Sequence, residues 1–105
     1  MSVNDHVWKK GDKKIGKRIA ERNLAIESMV ERTYGILPSD VSLADRRTVS
    51  RVLCRESNAL HYLEQRNPSK AISLLVEQQS ESIQPCVSLA STVAILRSCF
   101  GVAEV

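Results

Sequence analysis

The run from Ser82 to Val105, SIQPCVSLASTVAILRSCFGVAEV, constrains this chain more than any other stretch. Between Glu81 and Glu104 it carries a single charged residue, Arg97. Cys86, Leu89, Val93, Leu96 and Phe100 recur at spacings of three, four, three and four, which sets them on one stripe of an α-helix. Ala90, Ala94, Ile95 and Cys99 widen that stripe until most of the helix surface is apolar. A helix of this kind is either buried in a bundle or spans a membrane. A span needs about 20 apolar residues, and Gln84, Pro85, Arg97 and several serines interrupt this one. The expectation is a buried helix, with no membrane insertion, that the upstream chain must cover.

The upstream chain is patterned to do so. Its 105 residues suit one domain, and 43% hydrophobic with 26% charged residues is a globular balance. Only three prolines and four glycines interrupt it, which favours long helices over many short strands. Residues 1–11 read as a loose basic arm with Trp8 as its one large apolar group, and residues 12–105 as a single helical domain. A first helix is expected from about Asp12, as N-cap, to Tyr34, with Ile15, Ile19, Ile26, Met29, Val30 and Tyr34 on its stripe. Gly35 is placed to end it in the left-handed conformation, with Ile36 as the accompanying apolar contact.

After a connector around Pro38, Ser42 or Ser39 caps a second helix, expected to continue to Arg66. Val49, Val52, Leu53, Leu60 and Leu63 form its stripe, and Glu56 is the misfit on that face. Asn67-Pro68 is a cap followed by proline at the first helical position, and opens a third helix that fades at Gln78–Ser80. Pro85 opens the fourth and Gly101 ends it. The fold class expected is all-α: a four-helix bundle-like domain around an apolar central C-terminal helix.

Charge is distributed unevenly. The formal net charge is +3, yet Lys9, Lys10, Lys13, Lys14, Lys17, Arg18 and Arg22 face only Asp12 and Glu21, so residues 9–22 hold +5 and the rest −2. Lysines and arginines clustered at a helix start are candidate contacts to phosphates or to an acidic partner. They also supply the polar face that Ile15 and Ile19 require. Arg46, Arg47, Arg51 and Arg55 are a second basic group. One continuous basic face across both groups would favour nucleic acid, whereas scattered arginines paired with carboxylates would favour a protein-binding role.

No motif carries catalytic chemistry. Cys54, Cys86 and Cys99 are odd in number and form no CxxC pair. Cys86 and Cys99 on one straight helix would be roughly 20 Å apart, beyond disulfide reach. The expectation is a reducing, cytoplasmic setting in which the thiols act as small apolar groups and Cys86 and Cys99 are inert. MSVNDHVWKK lacks the apolar core of a secretory signal. His61 follows Cys54 by two helical turns, about 10 Å, too far to share a metal ion. There is no glycine-rich phosphate loop and no acid–base pair, so neither a metal nor a cofactor is expected.

Thr48-Val49-Ser50-Arg51-Val52-Leu53 is similar to the recognition helix of lac-repressor-type proteins, which lies in the major groove of DNA. In that family the hexapeptide follows a short helix and a tight glycine-containing turn. Here the nearest upstream glycine is Gly35, Pro38 intervenes, and Val49, Val52 and Leu53 are accounted for as core positions. The six-residue match is read as chance.

The sequence thus leads to a small non-enzymatic regulatory or adaptor protein that binds a partner protein through helix faces, as a homodimer. Leu89, Val93, Leu96 and Phe100 are the candidate helix-seam or dimer contacts. The alternative is a nucleic-acid-binding or nucleoprotein-associated factor using the Lys9–Arg22 segment.

Overall fold

A computed structural model describes residues 10–83 and 86–102, with side chains from residue 16 onward. Every regular element among them is helical: α1 Lys10–Thr33, α2 Leu43–Leu53, α3 Ser57–Glu64, α4 Pro68–Glu81 and α5 Val87–Phe100. The all-α expectation holds, but there are five helices among the described residues, because the helix expected from Ser42 to Arg66 is two.

The break falls at the position where the apolar stripe failed. After Leu53 the Cys54 N–H still reaches Ser50 O at 3.0 Å, but Arg55 and Glu56 both bond Val52 O, and Glu56 takes φ −113°, ψ 73°. Ser57 and Asn58, poor helix formers in an interior, then start α3 without a side-chain cap. The kink lets one sequence serve two partners. Val49, Val52 and Leu53 are buried where α2 packs between α1 and α5, while Ala59, Leu60 and Leu63 are buried where α3 lies on α4. A straight helix could not aim both groups inward. Ala59 and Ala71 are fully buried, so α3 and α4 pack closely as a helical hairpin.

That hairpin turns on a residue the sequence did not single out. Arg66 has φ 61°, the one non-glycine in the left-handed region among the described residues. Its N–H donates to Leu63 O at 3.1 Å, and the Asn67 N–H donates to Tyr62 O at 2.8 Å. This pair of bonds is the Schellman pattern, here closed with an arginine in the glycine position. Asn67 then caps α4 as expected, its Oδ1 accepting from the Lys70 N–H at 3.3 Å.

Other ends differ from expectation. Asp12 is not a cap, because α1 already includes Lys10. Gly35 is not left-handed; Tyr34, Gly35 and Ile36 leave α1 through consecutive i→i+3 bonds, a tightened last turn. Of the two serines, Ser42 caps α2, its Oγ accepting from the Asp45 N–H at 3.1 Å. The start expected at Pro85 lies outside the described residues, and α5 begins at Val87 with Cys86 as its N-cap. Gly101 does close α5 at φ 65°.

The hub of the packing is α2, which meets α1, α5 and the start of α3. The C-terminal helix α5 lies against α2 and α4. It buries Leu89, Thr92, Val93 and Leu96 and leaves Val87, Ala90, Ala94 and Ser98 exposed. At the other edge, α1 joins the core only from Ile26 onward. No residue from Gly16 to Ala25 is buried, and Ile19 and Leu24 stand 52% and 70% exposed. The expected stripe therefore runs off the body, and Ile19 is not a core residue. The elongated outline, 59 × 32 × 20 Å, accords with this overhang.

Candidate nucleic-acid interface

Outside the overhang, Arg32, Arg46 and Arg47 are held by carboxylates or backbone carbonyls of the fold, whereas Arg51 and Arg55 are in no ion pair among the described residues. Arg46 is fully buried. Its Nη1 donates to Thr33 O at 3.0 Å, its Nη2 to Pro38 O at 2.6 Å and its Nε to Val41 O at 3.2 Å. The Tyr34 ring covers the guanidinium at 3.9 Å. Arg46 thereby satisfies carbonyls at the end of α1 and along the connector, the groups a helix C-terminus leaves without partners. Arg32 pairs with Glu64 at 2.7 Å and Arg47 with Glu27 at 3.1 Å. Both pairs are half exposed, so each adds only a few tenths of a kcal/mol, up to about 1.

Arg51 and Arg55 have no carboxylate within ion-pair distance among the described residues, nor does Arg22. Arg51 is on the exposed face of α2, and Arg55 follows in the turn just after that helix ends. With Arg22 of α1 they line one recess of about 210 Å³, together with Ile26, Cys54 and Ser88 in the first turn of α5. A second recess of about 340 Å³ continues from Arg22 and Arg51 along Asn23 to the Arg47–Glu27 pair. On α1, Arg18 precedes Arg22 by four residues, hence on the same face, and Lys17 is exposed beside it. Of the sequence candidates, Lys17, Arg18 and Arg22 are thus on the open half of α1. Lys9 lies outside the described residues, and the side chains of Lys10, Lys13 and Lys14 do as well. The structure brings Arg22 together with Arg51 and Arg55, removes Arg46 from the surface, and ties Arg47 to a carboxylate.

The hexapeptide Thr48–Leu53 contributes little to that surface. Val49, Ser50, Val52 and Leu53 are buried and only Arg51 is exposed. Leu89, Val93 and Leu96 are buried within their own chain, and Phe100 packs partly against the same core, so the seam they form is intramolecular.

The thiols differ in a way the sequence concealed. Cys86 caps α5, and its acidity is raised above that of an ordinary thiol by the Leu89 N–H and then by Arg55, whose Nη2 lies 3.9 Å from Sγ. Burial pushes the Cys54 and Cys99 thiols the other way, with Asp40 and Asp45 adding to the effect at Cys99. His61 is an exposed neighbour of Tyr62. Among the described residues no cluster of three His, Cys, Asp or Glu is placed to hold a metal ion, and no helix is long and apolar enough to cross a membrane.

Comparison of the chain with protein-family models, with curated proteins and with solved structures finds no match in any of the three.

Proposed function

We propose that this protein is a small non-enzymatic factor that binds nucleic acid through its phosphate backbone. The observation that carries the reading is the convergence of Arg22, Arg51 and Arg55 on one recess with no carboxylate partner, continued along α1 by Arg18 and Lys17. Guanidinium groups left without acids at the surface are poised to replace the counterions of a polyanion. Arg32 and Arg47, by contrast, are matched to glutamates. Retention on a heparin or DNA column tests the reading. The wild-type chain elutes at raised salt, and Arg51→Glu/Arg55→Glu elutes with the non-binding fraction. Elution of the wild type without retention at 50 mM salt overturns it.

The second reading is a regulatory or adaptor role toward a protein partner, including a second copy of the chain, in a cytoplasmic setting. Exposed Ile19 and Leu24 on the uncovered half of α1 support it. Light scattering separates the two: a concentration-dependent dimer abolished by Ile19→Glu/Leu24→Glu supports the adaptor reading, and a monomer that binds polyanions supports the first.

A further inference from the structure

We infer that the nucleic acid is double-stranded DNA, with the open half of α1 in its major groove and Arg51 and Arg55 on the flanking phosphates. This deepens the nucleic-acid reading and rests on it.

Shape is the first argument. A helix with its side chains is about 10–12 Å across, and the major groove of B-form DNA is about 12 Å wide and 8.5 Å deep. To enter it, a helix must be free of its own protein over several turns. From Gly16 to Ala25 no residue is buried, a stretch of about 15 Å at the rise of an α-helix. The remaining helices are each packed along one face.

Charge placement is the second. Arg18 and Arg22 run along α1, and Arg51 of α2 and Arg55 of the turn that follows it line a recess beside Arg22. A helix lying in a groove has phosphates on both sides of it. Cations at the root of the helix, offset from its axis, are where a flanking strand would run. Glu21 is the one acid among the described side chains of the open half.

The third argument selects the duplex over a single strand. Single strands are held by stacking bases on aromatic rings. Among the described residues, Tyr34 is stacked on Arg46, Tyr62 faces Lys70 and His61, and Phe100 packs on the core, and none of these rings lines the arginine recess; Trp8 lies outside the described residues. Duplex RNA is disfavoured because its major groove is too deep and narrow for side chains to read.

Fluorescence anisotropy with the full chain tests this, using a labelled 20-base-pair DNA duplex, the matching single strand and a duplex RNA, between 50 and 200 mM NaCl. Five described cations predict log K falling with log salt at a slope of about −4 to −5 on duplex DNA. Arg51→Ala/Arg55→Ala should reduce that slope by about 2 and weaken binding at low salt, with Lys70→Ala as an unaffected control. Circular dichroism confirms that the variants remain folded, and Arg18→Ala/Arg22→Ala gives a second pair on the free helix. Duplex binding at least tenfold tighter than to single strand or RNA supports the inference. Equal or tighter binding to single strand or RNA, or a slope unchanged in both variant pairs, overturns the inference while leaving the broader reading. Binding to none of the three probes overturns both.

Discussion

At the residue scale, Arg46 shows how one side chain can tie α2 to the end of α1 and to the connector between them. Its guanidinium is completely buried without a carboxylate, stabilised by three backbone carbonyls and the face of Tyr34. Charged hydrogen bonds to carbonyls are stronger than neutral ones, and removing the donor leaves the acceptors buried and unpaired. Arg46→Ala should therefore cost about 3–5 kcal/mol, read as a fall in the urea midpoint. Arg46→Lys should recover only part of it, because an ammonium cannot span three divergent acceptors.

Cys86 is the second informative residue. Its thiolate is favoured by the Leu89 N–H and Arg55, so it should be alkylated by iodoacetamide faster than Cys54 or Cys99. A thiol pKa lowered by folding stabilises the fold at pH above the ordinary thiol value, and that contribution is lost as pH falls through the lowered one. The preference for Cys86 should accordingly be largest on the acid side of the usual thiol range and shrink at higher pH, where all three thiols ionise. Peptide mass spectrometry of the labelled sites from pH 6.5 to 9.5 checks this; uniform labelling at the lower end would refute it.

At the scale of elements, the turn between α3 and α4 is held by geometry rather than by residue preference. An arginine at φ 61° occupies a conformation that costs an L-residue about 1–2 kcal/mol. Arg66→Gly should relieve that strain, partly offset by glycine's greater freedom in the unfolded chain, for a net gain of up to about 1 kcal/mol. Thermal denaturation gives the sign: a rise in midpoint is expected, and a fall would show that the side chain contributes contacts of its own. Gly35 takes no such conformation, and a β-carbon there would meet its nearest neighbour, Arg32 O, at an ordinary 3.6 Å.

At the scale of the whole molecule, stability and surface are divided along α1. Leu96, fully buried between α5 and its neighbours, and Ile19, half exposed on the overhang, are both aliphatic residues on apolar helical stripes. Leu96→Ala should cost about 2–5 kcal/mol, whereas Ile19→Ala should stay within about 0.5 kcal/mol. Equal losses in urea titrations would mean that the open half of α1 is covered in solution. The same division sets the binding proposal, since a helix that contributes no core contacts over ten residues is free to enter a groove.

Residue spacing and cap chemistry were enough to read the helical class, the α4 start at Asn67-Pro68, the α5 end at Gly101, and the core positions Val49, Val52, Leu53, Leu60, Leu63, Leu89, Val93 and Leu96. Both act over a few residues. The sequence could not show the break at Glu56 or the left-handed Arg66, because both result from α3 turning to meet α4. Nor could it sort the arginines. Periodicity places Arg46, Arg47, Arg51 and Arg55 on one helix with no ranking among them. Only tertiary packing puts Thr33 O and Pro38 O around Arg46, Glu27 beside Arg47, and Arg22 next to Arg51 and Arg55. Which cation is structural and which is open to a partner depends on what the fold sets opposite it, and that is decided by residues far away along the chain, as Arg22 is from Arg51 and Arg55.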